Sequence, residues 1–251
     1  MLRALIFDVD GTLADTERDG HRVAFNHAFA DAGLDWRWDV ARYGELLRVT
    51  GGRERLLHFM ESGSASVPIA ERDALARRLH ARKTEHYLRM VDEGAMQLRP
   101  GIARLLSEAH AAGLTLAIAT TTSRANIDAL LAHALPPGAF SWFAVIGAAE
   151  DAPRKKPDPQ VYEFVLEELQ LEPGDCLAIE DSAAGLQAAA AAGLRTVVTV
   201  NDYTRDQDFS GALTVLSDFG ERDAPACVLA GASAGSGLVG VAQLRAWHAF
   251  R

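Results

Sequence analysis

Roughly a hundred residues separate the apolar run Ala4 to Val9 from the next segment of its kind, Thr115 to Ala119, and nothing between them reads as a strand. Beyond that gap, short apolar runs recur at Ala144 to Gly147, Cys176 to Ile179 and Thr196 to Val200. Each ends in polar or turn residues, as strands buried on both faces of a parallel sheet do. Helical patterns separate them: 101–112 opens after Pro100 and closes at Gly113, 158–169 opens after Pro157, and the Ala-rich stretch 183–192 stops at Gly193. Such alternation predicts an α/β fold, an open, mostly parallel sheet with right-handed crossovers. Ligands of such sheets sit beyond the carboxyl ends of the strands. A crossover needs only about a dozen residues, so the surplus after the first strand predicts an inserted α-helical domain, with helices over 16–32, 39–48, 53–61 and 68–92 and a turn from Ser62 to Ser66. The expected organisation is a core of residues 1–14 and 96–220, a helical domain over 15–95, and a C-terminal appendage, 221–251. Hinges are expected near Leu13–Asp15 and Gly94–Pro100. The appendage is Gly/Ala/Ser-rich from Ala230 to Gly237 and then offers a short helix, Val241 to Phe250.

The strand ends carry the chemistry. The first strand runs out into Asp8-Val9-Asp10-Gly11-Thr12. Two residues apart on a strand, the carboxylates of Asp8 and Asp10 point to one side, and Gly11 lets the chain turn sharply. An Asp-Gly pair ends many strands; two acids directly after Leu-Ile-Phe also bring like charges close enough to drive their pKa values apart, one ionised and one a proton donor. The second strand ends in Thr120-Thr121-Thr122-Ser123. Hydroxyls and backbone N–H groups at a strand–helix junction hold a phosphate or cap the helix. After the third strand, proline fixes the backbone beside Lys156 in Arg154-Lys155-Lys156-Pro157-Asp158-Pro159. That lysine either neutralises a carboxylate or phosphate oxygen or belongs to a solvated basic turn. Glu180-Asp181-Ser182 follow the fourth strand. Acids there suit a helix start and, with Asp8 and Asp10, make three or four hard oxygen ligands of the kind Mg²⁺ takes.

Composition narrows the partners. Lys plus Arg is 25 against 34 Asp plus Glu, a net charge of −9, which disfavours nucleic acid and anionic membranes. An anionic small molecule needs a local cation or metal to override that field. Cys176 and Cys227 stand in no paired or metal-ligand spacing and read as thiols of a reducing compartment. The apolar start, broken at Asp8, is too short for a signal-peptide core of about 7–15 residues, and no run approaches the roughly 20 apolar residues of a membrane span. A cytoplasmic monomer is expected. The eight histidines show no metal or triad spacing.

Asp8-Val9-Asp10-Gly11-Thr12, Thr120, Lys156-Pro157 and Glu180-Asp181-Ser182 resemble the four motifs of the haloacid dehalogenase superfamily, over about residues 1–218. The helical insertion resembles that superfamily's α-helical cap on a Rossmann-like core. The resemblance implies Asp8 as the nucleophile that takes the phosphoryl group, and Asp10 as the acid that protonates the leaving oxygen and then activates water. It also implies Thr120 and Lys156 as holders of the phosphoryl, and Mg²⁺ bound by Asp8, the Asp10 backbone carbonyl and Asp181 with Glu180 close by. An acid at position 10 suits a phosphate ester, whose leaving oxygen needs a proton, rather than a halide, which does not. Leu13 to Glu17, Asp35 to Asp39, Thr50 to Arg55, Lys83-Thr84 and Leu244 to His248 are similar to the CbbY subgroup. That likeness implies hydrolysis of xylulose 1,5-bisphosphate, a Rubisco inhibitor, to xylulose 5-phosphate. Glu17 would meet sugar hydroxyls, with Tyr43 and Thr121 further substrate contacts, and Gly51, Gly52, Arg53 and Arg55 would take the distal phosphate; a flexible loop and solvated helix face is the plainer reading of that run. Two departures stand out: Arg53 where several relatives carry Lys, and one extra residue around Asp19–Gly20 that could loosen the first cap helix. Alternatives are a β-phosphoglucomutase-like isomerase, a broader sugar-phosphate phosphatase, and, more distantly, a non-catalytic phospho-receiver.

Overall fold

The structure is a computed structural model and describes residues 1–49, 51–63, 65–135, 138–233, 235 and 237–249. Thr50 of the Gly-Gly-Arg run and Phe250 of the expected last helix lie outside the described residues. The chain forms two compact units, Met1–Asp15 with Gln97–Arg251, and Thr16–Met96.

The first unit is a seven-stranded sheet: β1 (Ala4–Phe7), β2 (Thr115–Ala119), β3 (Phe143–Gly147), β4 (Cys176–Glu180), β5 (Arg195–Thr199), β6 (Thr214–Leu216) and β7 (Val228–Gly231). Its order is β3-β2-β1-β4-β5-β6-β7, parallel except for the β6–β7 pair. All four side chains of β1 are buried, as expected for a strand flanked on both faces by helices. The chain leaves β1 toward β2 but returns from β3 to the far side of β1, so the winding reverses between β1 and β4. In open sheets that reversal opens the crevice where ligands bind. The pairings Phe7↔Ile118 and Phe7↔Ile179 bring the ends of β1, β2 and β4 level, and Asp8, Thr120 and Glu180–Asp181 stand there.

Arg99, which no motif flags, ties that end of the sheet together. It is buried, and donates from Nη1 to Gly11 O (2.5 Å) and to Thr199 O and Oγ1 (3.0 Å each). Its Nη2 donates to Val200 O (2.6 Å) and Ser217 O (2.8 Å), and Asp15 lies 3.4 Å from Nε. One guanidinium thus satisfies carbonyls at the turn after β1 and at the ends of β5 and β6.

The tail differs from the expected appendage. β7 pairs antiparallel with β6, with Leu216 opposite Val228 and Thr214 opposite Gly231, and so extends the core sheet. The last helix, Val241–Ala249, buries Leu244 and Trp247 and packs on the helix Ile102–Ala111. Arg195 donates to the carbonyls of His248 (2.8 Å) and Trp247 (3.2 Å), closing that helix's C-terminus. Both strands escape sequence reading because they are short, and β7 is exposed along its length.

The second unit is helical: α1 (Arg22–Asp31), α2 (Val40–Leu46), α3 (Gly52–Glu61) and α4 (Ile69–Asp92). Trp38 is its centre, with ring centroids 4.8 Å from Phe25, 4.9 Å from Phe29 and 5.3 Å from Phe59. Asn26 brackets the Trp38 backbone with two 2.8 Å hydrogen bonds. The first cap helix is not continuous from residue 16: Thr16–His21 is a π-helical turn preceding α1. That single π-helical turn covers Asp19 and Gly20 and runs directly into α1. Gly20 permits it, since a Cβ at that position would lie 2.8 Å from the Tyr87 ring and 2.9 Å from Met96 Sδ. Among the described residues no helix is long and apolar enough to cross a membrane.

Arg99→Met should destabilise the protein by about 3–5 kcal/mol, because buried carbonyls and Asp15 lose their partner together. Urea unfolding of both proteins measures this, and a loss under about 1 kcal/mol would refute the clasp.

Candidate active site

Lys156 is the hub of the crevice. Its Nζ donates to Asp8 Oδ1 at 2.7 Å, Glu180 Oε1 at 2.5 Å and the Ala119 carbonyl at 2.9 Å. Those three bonds use every proton of the ammonium and join the ends of β1, β2 and β4. The basic-turn alternative for Lys156 is therefore wrong: its side chain is 8% exposed, whereas the neighbouring Arg154 is at the surface in an ion pair with Asp158. The turn after Asp8 is tight, with Gly11 N–H on Ala14 O (2.8 Å) and Leu13 N–H on Val9 O (2.9 Å). Gly11 stands at φ +90°, and any side chain there would collide with the Asp181 carboxylate and Asn201. Gly185 is constrained likewise, because a Cβ would run into the Glu180 carboxylate.

Glu180 is fully buried. Its Oε1 also accepts from Tyr162 Oη (2.6 Å), while Oε2 accepts from Asp181 N–H (3.2 Å) and the Ser182 hydroxyl (3.4 Å). Ser182 caps the following helix, its Oγ accepting from Gly185 N–H at 3.1 Å. Asp181 Oδ2 accepts from Asn201 Nδ2 at 2.7 Å. Thr120 is buried, its N–H on Gly147 O (3.0 Å) and its Oγ1 3.4 Å from Thr122 N. Thr121 is half-buried in the same loop. Neither this threonine run nor Ser123 caps the next helix, Arg124–Ala134, through a side chain.

Burial pushes the Asp8 carboxyl upward; Lys156 pulls it back and Glu180 and Asp10 push it further, leaving it at about 7. Burial, Asp8 and Glu180 hold Asp181 well above the carboxylate range despite the Asn201 hydrogen bond. For Lys156 burial works to lower the pKa, but the two carboxylates outweigh it and keep the ammonium charged. One oxygen each of Asp8, Glu180 and Asp181 lies within 4.8 Å of the others. Three buried acids against one ammonium are short of positive charge, and hard oxygen donors so gathered fit a divalent cation such as Mg²⁺.

The second unit holds its own polar group. Tyr43 Oη donates to Glu17 Oε2 at 2.5 Å, and buried Arg55 donates to Tyr43 Oη at 2.8 Å and to Leu46 O at 3.2 Å. Lys83 Nζ donates to His21 Nδ1 at 2.9 Å, both residues buried. Burial, then Lys83 and Arg55, hold His21 neutral, its pKa well below the imidazole range. His80 is lowered in the same way, by burial and then Lys83. Gly51, at φ +97°, opens α3, and a Cβ on Gly52 would strike the His80 ring. Arg53 differs from Arg55: it is half-exposed and paired with Asp73 and Glu54. Glu17, Tyr43 and Arg55 are thus brought into one chain, with Gly51 and Gly52 opening the same helix as Arg55, whereas Arg53 turns to carboxylates of its own unit. Sequence reasoning missed His21, His80, Tyr162 and Asn201 and gave Lys83, noted only for its resemblance, no role; their partners stand too far away in sequence for spacing to show.

The model of the haloacid dehalogenase-like hydrolases matches residues 2–193. The protein CbbY of Cupriavidus necator is 50% identical over 253 residues, spanning 98% of this chain and 97% of its own. A crystal structure of CbbY from Rhodobacter sphaeroides with phosphate is 45% identical, with a TM-score of 0.76 over 88% of this chain and 96% of that one. A mutant of the same protein in complex with xylulose-(1,5)-bisphosphate superposes with a TM-score of 0.75 at the same identity and coverage.

Because Asp8, raised to about 7, must shed its proton before a cation can bind there, Mg²⁺ affinity should rise steeply from pH 6 to about 7 and more slowly above it. Below 7 the Kd should weaken about tenfold per pH unit for each proton displaced. Calorimetric titration at pH 6, 7 and 8 reads this directly; a Kd independent of pH would contradict it.

Proposed function

The chain belongs to the haloacid dehalogenase-like hydrolases, and on that footing we propose that it is a Mg²⁺-dependent sugar-phosphate phosphatase acting through an aspartyl-phosphate, with xylulose 1,5-bisphosphate as substrate and xylulose 5-phosphate as product. The observation that carries the chemistry is Lys156, an ammonium clasped by Asp8 and Glu180 in a buried crevice at the carboxyl ends of the strands. An anionic nucleophile approaching an anionic phosphoryl group needs such a cation, since phosphoryl transfer is mostly positioning and charge neutralisation.

In this reading Asp8 attacks phosphorus, forming the carboxylate–phosphorus bond as the bond to the sugar oxygen breaks. Asp10 delivers a proton to that departing oxygen. Asp10 then takes a proton from a water that attacks the same phosphorus, which returns Asp8 and releases inorganic phosphate. Lys156 and Thr120 hold the transferring oxygens. Asp8, the Asp10 backbone carbonyl, Glu180 and Asp181 would hold Mg²⁺, whose charge would offset that of the phosphoryl oxygens.

The substrate rests on different support. A 45% identical relative is described in complex with xylulose-(1,5)-bisphosphate. Glu17 and Tyr43 offer an acceptor and a hydroxyl for sugar hydroxyls, and Arg55, Lys83 and the opening of α3 at Gly51–Gly52 offer positive charge and N–H donors for a distal phosphate. Arg53, already matched by two acids, contributes at most its half-exposed edge. Removing the 1-phosphate would clear a Rubisco inhibitor. The proposed setting is the cytoplasm, where the free thiols of Cys176 and Cys227 stay reduced.

Phosphate release with Mg²⁺ should give a kcat/KM for xylulose 1,5-bisphosphate at least about a hundredfold above ribulose 1,5-bisphosphate, fructose 1,6-bisphosphate, phosphoglycolate and glucose 1-phosphate, about 2.7 kcal/mol of discrimination. Flat rates across that panel would discard the substrate and keep the phosphatase. Conversion of glucose 1-phosphate to glucose 6-phosphate in the presence of a bisphosphate primer would instead favour the mutase. Asp8→Asn should fall below about a thousandth of wild-type turnover while melting no lower, because it removes a buried carboxyl that burial disfavours. Turnover well above that thousandth would remove Asp8 as nucleophile.

A further inference from the structure

Of the three acceptors on Lys156, Glu180 Oε1 is the one that takes a second short hydrogen bond from a side chain. Tyr162 Oη donates to it at 2.6 Å. Tyr162 is the third residue of the helix Gln160–Leu169 and fully buried. Its ring lies beside the ammonium, with Lys156 Nζ 5.0 Å from the centroid. The ring alone would fill the space and supply the cation–π contact, so the hydroxyl is the unexplained part: burying a phenol is unfavourable unless its O–H is bonded. Position 162 belongs to none of the four strand-end motifs.

We propose that Tyr162 is a positioning residue for phosphoryl transfer, its hydroxyl sharing the charge on Glu180 Oε1 so that Lys156 stays on the Asp8 side rather than being captured by Glu180. This rests on the phosphatase reading above. Glu180 and Asp8 compete for one ammonium, and Glu180 holds it at the shorter distance, 2.5 Å against 2.7 Å. A carboxylate oxygen carrying a second donor pulls less strongly on the first, because its charge is spread over two hydrogen bonds. Oε2 offers no such relief, since its contacts from Asp181 and Ser182 are longer. Without the hydroxyl, Lys156 would settle toward Glu180, away from the oxygen that attacks phosphorus and from the oxygens it must neutralise. That loss falls on the transition state more than on ground-state binding. The phenol stays protonated, because burial and Glu180 hold its pKa far above neutrality.

The test is Tyr162→Phe, assayed for phosphate release from xylulose 1,5-bisphosphate with Mg²⁺ and for binding of inorganic phosphate and orthovanadate, a mimic of five-coordinate phosphorus. The expected result is kcat down about tenfold and vanadate affinity weakened by the same factor, with KM and phosphate affinity held within about twofold. Unchanged kcat, or phosphate affinity falling in parallel with vanadate affinity, would overturn the proposal. Should the Phe variant melt more than about 5 °C below wild type, 3-fluorotyrosine at 162 keeps the volume and strengthens the donor. There, kcat at or above wild type supports the assignment and a loss beyond about twofold overturns it. A wild-type enzyme inert on every sugar phosphate defeats the function reading, and the vanadate-against-phosphate comparison still decides the role of Tyr162. An active wild type beside an unaffected Phe variant defeats this inference alone.

Discussion

Three carboxylates packed around one ammonium, out of water, set the terms for the rest of the catalytic unit. Asp8, Glu180 and Asp181 would each be costly to bury singly, and Lys156 matches the charge of only one of them. Such a cluster survives only on a frame that cannot relax, and a parallel sheet with in-register central strands is such a frame. Glycine at 11 and 185 lets backbone and carboxylate approach each other more closely than any side chain would allow. Arg99 then fixes the turn after β1 to the ends of β5 and β6. Stability and reactivity oppose each other here: the packing that holds the acids in place is also what raises Asp8 to about 7, a tension that a divalent cation bound there would relieve.

The parts of this arrangement that were legible in the sequence are those written locally. Asp8 and Asp10 share one turn, Glu180 and Asp181 one strand end, and each follows an apolar run long enough to read as a strand. The α/β alternation and the helical insertion were legible for the same reason. What stayed hidden is carried by pairs of residues brought together only by folding. Tyr162 meets Glu180 across 18 positions, Asn201 meets Asp181 across 20, and Lys83 meets His21 across 62. Periodicity sees one element at a time and cannot register such meetings. β6 and β7 were lost for another reason: β6 is only three residues long, and β7 is exposed along its length and so carries no buried apolar run.

Within the helical unit, the aromatic core and the buried polar network are built from largely different side chains. Trp38 is buried among the rings of Phe25, Phe29 and Phe59, and half-buried Trp36 meets Phe29 and Phe59. With the fold held by aromatics, the polar residues can be oriented rather than merely solvated. Arg55 shows how: its Nε is fixed by the Leu46 carbonyl and its Nη1 by Tyr43, which itself is fixed by Glu17. A guanidinium so tethered has already lost the rotamer freedom that a surface arginine would surrender on binding an anion. Arg53, two residues away, keeps that cost and in addition would have to leave Asp73 and Glu54. Neighbouring arginines of one helix are therefore unequal in what it would cost them to meet an anion.

A net charge of −9 at first argues against any anionic substrate, yet both units concentrate positive charge where acids have been tied up. Fields between exposed charges fade over about 8 Å at physiological salt, so the global excess of acid matters less than the few groups within hydrogen-bonding reach. In the catalytic unit Lys156 lies among the very acids that would repel a phosphoryl group. In the helical unit Glu17 accepts from Tyr43, which in turn accepts from Arg55, while Lys83 donates to an imidazole that burial holds neutral. A net negative charge therefore does not by itself exclude an anionic ligand, because Lys156 and Arg55 are held in fixed places by the groups they are bonded to.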